Sequence, residues 1–417
     1  MKTWLYSWIA YPTLFSLAFF FGFFSKKTRG TLKLRSWKYF LSLRFNVGEP
    51  IEYWVHVASY GELEYAFPIL QELEKKQRKV LVTYYSVSAK EMIEKLPSSL
   101  SNVSLIVPLP HDGLGLMKEF VALVKKQGVR NLLLLKYELW PGLLWECNRQ
   151  NIAVVLVDAL KPSWFHRNLL HKLSSILAGY ASEIEHVQHP DTHVVGDTRV
   201  ERVMSRLKNS KDSPLLEDLK ASLNTKPILV CGSMWPVDTD LVYDAFNSAL
   251  SSGHVLWIPH ELSETECKRA CKLFKSLGYE IYDLNDFRSK VVNTNQSMFL
   301  YFMQKGLLAE LYKVGHLTYV GGGFGAGVHS VWEPALTGAY VACGPKTSRS
   351  PEAFELEKHN ILRRVWNSQQ FLNWYSEHLT CPKTEQYLKL TEKHIGASKR
   401  VVDYCENRFF TEHKNVQ

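Results

Sequence analysis

The chain has 417 residues, 46% hydrophobic and 22% charged, with 50 basic and 41 acidic side chains. This composition excludes a disordered, collagen-like or disulfide-stapled protein, and the length predicts two globular domains plus an appendage. Residues 1–48 hold eight Lys or Arg and no acid, so the rest of the chain is close to neutral. The basicity is local, which argues against a nucleic acid as partner.

In chain order, residues 1–25 come first as an expected membrane anchor. Thr3 to Ser25 carries no charge and includes Leu5, Trp8, Ile9, Phe19, Phe20, Phe21, Phe23 and Phe24, long enough to span a bilayer. No small-x-small cleavage site follows, which favours a retained anchor over a cleaved signal. Lys26, Lys27, Arg29, Lys33, Arg35, Lys38 and Arg44 follow the run and only Lys2 precedes it, which places the body on the cytoplasmic side. Pro12 and the aromatic content leave open a segment lying in one leaflet. Residues 26–48 read as a basic interfacial segment. The seven cysteines are scattered and odd in number, as suits a reducing compartment.

Residues 49–206 alternate short apolar runs with amphipathic stretches. Strands are expected at Trp54–Ala58, Val80–Tyr85, Val103–Val107, Asn131–Leu135, Val154–Val157 and Ile184–Val187. Helices are expected near Glu62–Lys76, Ala89–Leu96, Leu114–Lys126, Leu139–Asn148 and Trp164–Tyr180. This is the pattern of a parallel sheet covered on both faces. The polar stretch 207–226 reads as a linker. The alternation resumes over 227–385, with strands at Ile228–Cys231, Val255–Pro259, Met298–Phe302, Leu317–Val320 and Val341–Gly344. Helices there are expected from Val237, from Thr265, near Leu307–Lys313 and near Val331–Leu336. Residues 386–417 are expected to form a helix returning to the first domain. The fold class is therefore α/β, two doubly wound Rossmann-like domains facing a cleft, where such sheets gather their ligands.

Two motifs carry chemistry. In WVHVASYGELEYAFPIL a strand runs into Ser59, Tyr60 and Gly61, and a helix opens with Glu62. A carboxylate there complements the helix amino terminus in any case, and it also faces the ligand side of the sheet. In VGGGFGAGVHSVWEPALTGAYVACGP, Gly321, Gly322, Gly323, Gly325 and Gly327 follow a strand, so backbone can approach and present amides to a phosphate. His329 and Glu333, four apart, would share a helical face and suit phosphate and ribose hydroxyls. Gly232-Ser233 offers a turn for phosphate. Asp238-Thr239-Asp240 has the spacing of a metal-binding Asp-x-Asp, though acids are common in a first helical turn.

Taken together, HVASYGELE, YELWPGLL, GDTRVERV, CGSMWPVD, IPHE and YVGGGFGAGVHSVWEPA resemble, in order, motifs of the 3-deoxy-D-manno-octulosonic acid (Kdo) transferases. The resemblance implies a GT-B glycosyltransferase with an acceptor-side first domain and a donor-nucleotide second domain. The donor is CMP-Kdo and the acceptor a lipid A precursor (lipid IVA) of lipopolysaccharide biosynthesis. The setting it implies is the cytoplasmic face of the bacterial inner membrane, whose anionic lipids the basic segment would meet. No metal or other cofactor is implied, and the anomeric centre inverts. Glu62 takes the general-base role, with Glu138, Ser59 and Gly61 on the acceptor side. Ser233, His260, Gly322, Gly323, His329 and Glu333 are placed on CMP. Many members have Pro-Arg-His where this chain has Pro259-His260-Glu261, with Lys346 or Arg349 as candidate replacements for that cation. The alternatives are a GT-B transferase using another nucleotide sugar for a different glycolipid, or a catalytically silent sugar-nucleotide-binding membrane protein.

Overall fold

A computed structural model describes residue 13 and residues 49–410, except 87–89, 91–92, 114, 137, 210–212, 224, 250–252 and 290–295. The expected anchor and basic segment lie outside the described residues. Among the described residues, no helix is long and apolar enough to cross a membrane. The chain divides into two compact units. One holds residues up to Arg202 together with those from Lys393 onward, and the other is Val203–Glu392.

The first unit is built on seven strands: β1 (Tyr53–Val57), β2 (Val80–Tyr84), β3 (Val103–Pro108), β4 (Asn131–Leu135), β5 (Ala153–Val157), β6 (Ser175–Ala178) and β7 (Thr192–Val194). They pair in the order β3-β2-β1-β4-β5-β6-β7, every pair parallel. Most are unbroken apolar runs because both faces are covered. Alternate residues feed two cores. Trp54, Leu132, Leu134 and Val154 pack with Phe120 and Leu144, from the helices Leu116–Lys126 and Pro141–Arg149 respectively. Tyr53, Val55, Leu133 and Val155 pack with Leu63, Ile69 and Leu73 of helix α1 (Tyr60–Lys75).

The carboxyl-terminal helix Ala397–Phe409 closes that second core with Val401, Val402 and Cys405. Arg78 fastens it, its guanidinium bonding Glu52 and Glu406. The Tyr53 hydroxyl donates to Glu406 at 2.7 Å, and the Phe410 ring stacks on Tyr53 at 5.2 Å.

The second unit repeats the architecture with β8 (Ile228–Met234), β9 (His254–Pro259), β10 (Glu280–Asp283), β11 (Met298–Tyr301), β12 (Leu317–Val320), β13 (Tyr340–Cys343) and β14 (Leu362–Arg364). Their order is β10-β11-β9-β8-β12-β13-β14, again all parallel. In each sheet the strand order reverses once beside the first strand, between β1 and β4 and between β8 and β12. Loops leave in opposite directions there and open a crevice at the carboxyl ends of the strands.

Three local expectations are corrected. Trp164–Tyr180 is a short helix (Trp164–Arg167), a tight turn at Leu170–Lys172 and then β6. Ile184–Val187 forms no strand, and Ile184 and Val187 instead pack partly buried on the core. A four-residue stretch has no readable period, and pairing with β5 makes Ser175–Ala178 the strand. The polar stretch 207–226 carries a helix, Pro214–Ser222, capped where the Ser213 hydroxyl accepts from Leu216 N at 3.3 Å. Its Leu215 and Leu219 are buried against Ile228 and Val230, a helical face that the surrounding charge masked.

The terminal helix supplies core, so its loss is measurable. Val401→Ala with Val402→Ala removes two buried CH₂ equivalents per residue, at about 0.8 kcal/mol each. The double variant is expected to lose roughly 3 kcal/mol or more, read as a lower urea midpoint for the first unit.

Candidate active site

Glu62 stands in the first turn of α1, directly after β1. Ser59 caps the helix, its hydroxyl accepting from Glu62 N at 3.4 Å, while Glu62 Oε2 reaches back to accept from Ala58 N at 2.5 Å. This reciprocal pair is a close relative of the capping box. The helix-terminus role is therefore real, and it occupies one carboxyl oxygen. Gly61 lies within the helical turn rather than in a preceding loop. An added Cβ would meet only Ser59 Oγ, at 3.8 Å. Nothing in the chain itself demands a glycine there, although glycine in a helix costs about 0.5–1 kcal/mol relative to alanine.

Glu62 is buried, and burial first, then the Glu138 carboxylate, pushes its pKa up to about 8 against the pull of the Ala58 amide and Lys136. Glu138 follows β4, the neighbour of β1 at the reversal, and accepts from Trp140 Nε1 at 2.9 Å. Trp140 stacks on Tyr85 at 5.2 Å. Lys136, at the end of β4, adopts a left-handed backbone with φ 61°, an uncommon cost for a non-glycine residue that often marks a functional position. Its ammonium lies over the Tyr65 ring, 3.9 Å from the centroid.

The same lysine also draws down Asp158, at the end of β5, whose pKa burial and Asp197 push up to about 8. Thr198 ties this group to α1, its hydroxyl lying 2.9 Å from the Tyr65 carbonyl and 2.5 Å from Asp158 Oδ2. Asp197 accepts from the Tyr180 hydroxyl at 2.7 Å. The segment GDTRVERV thus braces the helix that carries Glu62.

In the second unit the glycine run follows β12 at the other reversal. Asp238, fully buried, accepts from Gly322 N at 2.9 Å, from the Tyr319 hydroxyl at 2.8 Å and from Trp235 N at 3.1 Å. Asp240 pairs with Arg269 at 2.5 Å. The Asp-x-Asp spacing therefore serves as a loop brace and a surface ion pair. The Gly322 amide is committed to that brace, and its φ of +93° requires glycine. A Cβ on Gly323 would lie 2.6 Å from Gly344 Cα, so glycine there lets two chain segments touch.

Ser233 ends β8 with a left-handed φ of 55°. Trp235, His260 and His329 form a stack of rings, with centroids 4.6 Å and then 4.5 Å apart. His329 precedes the single helical turn Trp332–Ala335, so it shares no helical face with Glu333. Glu333 faces Arg206 at 3.9 Å. Three buried polar atoms near this stack and loop, Trp235 Nε1, Ser330 Oγ and Thr347 Oγ1, have no hydrogen-bond partner among the described residues. Buried polar groups are ordinarily satisfied, so this trio makes the loop a candidate ligand site. Sequence reasoning passed over Trp235, Thr347 and Lys136. Ser330 lies directly beside His329 in the second motif.

Residues 21–201 match the sequence profile of the 3-deoxy-D-manno-octulosonic-acid transferases (kdotransferases). A 3-deoxy-D-manno-octulosonic acid transferase of Aquifex aeolicus is 26% identical over 347 residues, covering 82% of this chain and 88% of that one. One of Chlamydophila psittaci is 22% identical, covering 75% and 76%. By this profile and these relatives the chain is similar to the Kdo transferases, and that similarity indicates a glycosyltransferase. The fold agrees. UDP-GlcNAc 2-epimerase from Neisseria meningitidis aligns with TM-score 0.59 at 14% identity over 85% of this chain and 99% of its own. A glycosyltransferase from Rickettsia africae aligns with TM-score 0.57 at 8% identity, covering 86% and 98%. These likenesses show the two-unit parallel α/β architecture of GT-B proteins.

The glycine loop makes a paired test. A Cβ on Gly321 would collide with the Ser233 carbonyl oxygen, whereas one on Gly325 meets only Gly322 O at 3.9 Å. Gly321→Ala is expected to destabilise the second unit by about 1–3 kcal/mol and Gly325→Ala to leave it within about 0.5 kcal/mol, compared by chemical denaturation.

Proposed function

We propose that the chain transfers Kdo from CMP-Kdo to a lipid A precursor, lipid IVA, with inversion, without a metal, and with Glu62 as general base. The cytoplasmic face of the bacterial inner membrane is the proposed setting, with the amino-terminal segment as anchor. The observation that carries the reading is the Glu62 carboxyl at the β1/β4 reversal, with its pKa raised to about 8. An acceptor hydroxyl is a weak nucleophile. A carboxylate that accepts its proton as the hydroxyl oxygen bonds to the anomeric carbon contributes about 10²–10⁴-fold. A raised pKa makes that carboxylate the stronger base once ionised. The bond from the anomeric carbon to the CMP phosphate breaks in the same step, and the electron pair leaves with the phosphate.

Charge on the departing phosphate needs donors oriented beforehand. Ser233, His260 and His329, with Ser330 and Thr347, are proposed for that work, and Gly322 and Gly323 shape the loop that holds them. Trp235 offers a ring and an unpartnered N–H to the nucleotide. Glu333 is proposed on the ribose, as the resemblance implies. Glu138 and Lys136 set the charge of Glu62, and the bare Cα of Gly61 leaves room beside it for the acceptor.

The expected pH dependence follows in sign. Only ionised Glu62 accepts a proton, so the transfer rate from CMP-Kdo to lipid IVA rises with pH, is half-maximal near pH 8 and levels off above it. Glu138→Gln removes a negative neighbour and moves that limb to lower pH, while Lys136→Met moves it higher. Glu62→Gln lowers kcat by about 10²–10⁴-fold. Stability moves the other way. Between about 4.5 and 8 the folded state keeps a proton that the unfolded state releases, so Glu62 costs stability as pH rises through that window. Glu62→Gln therefore raises the thermal midpoint at pH 8 more than at pH 4. A pH–rate limb unmoved in Glu138→Gln would remove the pairing of the two carboxyls. Full transfer by Glu62→Gln would remove the base assignment.

A further inference from the structure

We infer that residues 161–172 of the first unit form a membrane-docking shelf whose partner is an anionic lipid bilayer. Trp164 is 82% exposed, the highest value among the large apolar side chains described, and Phe165 beside it is 40% exposed. Both sit on the short helix Trp164–Arg167, held by Ser163, whose hydroxyl accepts from His166 N at 3.3 Å. The structure therefore holds two large aromatic side chains out in solvent, where a protein without a partner at that face gains nothing from them.

The charge around them selects the partner. From Leu160 to Tyr180 there are three permanent cations, Lys161, Arg167 and Lys172, and no acid. Lys161 and Arg167 are exposed. Burial lowers the pKa of His166, so it stays neutral at the rim. The facing acids come from the next turn: Glu183, whose Oε2 accepts from Lys161 N at 2.7 Å, and the exposed Glu185. Tryptophan and phenylalanine flanked by Lys and Arg match the boundary between headgroups and acyl chains. Cations beside them are attracted to anionic lipid within a Debye length.

What lies behind the shelf connects it to the candidate site. Pro162, His166 and Leu170 also line a small apolar depression, together with Leu156, Leu160 and Lys136. Lys136 is the lysine whose charge acts on Glu62. The shelf, the depression and the proposed base are thus contiguous within one unit. An acceptor that keeps its acyl chains in the bilayer would reach the base from this side. In that purpose the inference rests on the lipid-acceptor reading above.

The test uses the full chain in vesicles of phosphatidylethanolamine and phosphatidylglycerol, with and without bromine at mid-chain, and needs neither donor nor acceptor. Brominated lipid is expected to quench a share of the wild-type tryptophan emission that Trp164→Phe lacks. That share is expected to shrink when Lys161, Arg167 and Lys172 are each changed to Glu. Equal fractional quenching of wild type and Trp164→Phe would overturn the proposal. So would a shift from dimer to monomer in detergent on changing Trp164 and Phe165 to Ser, since a second copy would then own this face. With lipid IVA as acceptor, that double variant should lose transfer several-fold on vesicles and none in detergent micelles. Quenching at Trp164 with no transfer by any form would leave the shelf standing and sink the acceptor reading instead.

Discussion

Everything that the two units offer to a ligand depends on the side-by-side pairing of the first strand of each sheet with a strand that returns from the far flank. β1 lies against β4, and β8 against β12. Parallel strands cannot be joined by tight turns, so each is followed by a crossover with one preferred hand. Where the order reverses, the connections on either side run to opposite faces of the sheet, and the strand ends between them stay uncovered. Glu62 follows β1 and Lys136 ends β4. Ser233 lies in β8, and the glycine run follows β12. The candidate chemistry occupies the positions that the topology leaves open.

Those positions are not relaxed. Lys136 and Ser233 both adopt left-handed backbones, and Glu62 keeps a carboxyl that burial and Glu138 hold away from its ordinary range. Strain and desolvation of this kind persist only where the surroundings over-determine them. Here the surroundings are visible. Thr198 bridges Asp158 and the Tyr65 carbonyl, the ammonium of Lys136 rests on the Tyr65 ring, and Asp238 gathers Gly322, Tyr319 and Trp235. Each brace is a buried hydrogen-bonded group holding an exposed or strained one. In the second unit the bracing stops short of Trp235 Nε1, Ser330 Oγ and Thr347 Oγ1, which leaves unfinished hydrogen bonding at the place proposed for the nucleotide.

The sequence by itself determined the strand–helix alternation and the motifs that resemble the Kdo transferases, because these depend on local pattern and residue chemistry. Long apolar runs such as Asn131–Leu135 and Val154–Val157 declare a strand buried on both faces without further context. What only tertiary structure decided depends on partners far along the chain. Ser175–Ala178 is a strand because β5 stands beside it, while Ile184–Val187, expected to be one, forms no strand. Asp238 is a brace for a loop that follows it by more than eighty residues, and no spacing rule reports that separation. The pKa of Glu62 required Glu138 and Lys136 to arrive at its side from β4. The exposure of Trp164 is a property of the folded surface alone, since one-dimensional pattern assigns an aromatic residue to a core by default.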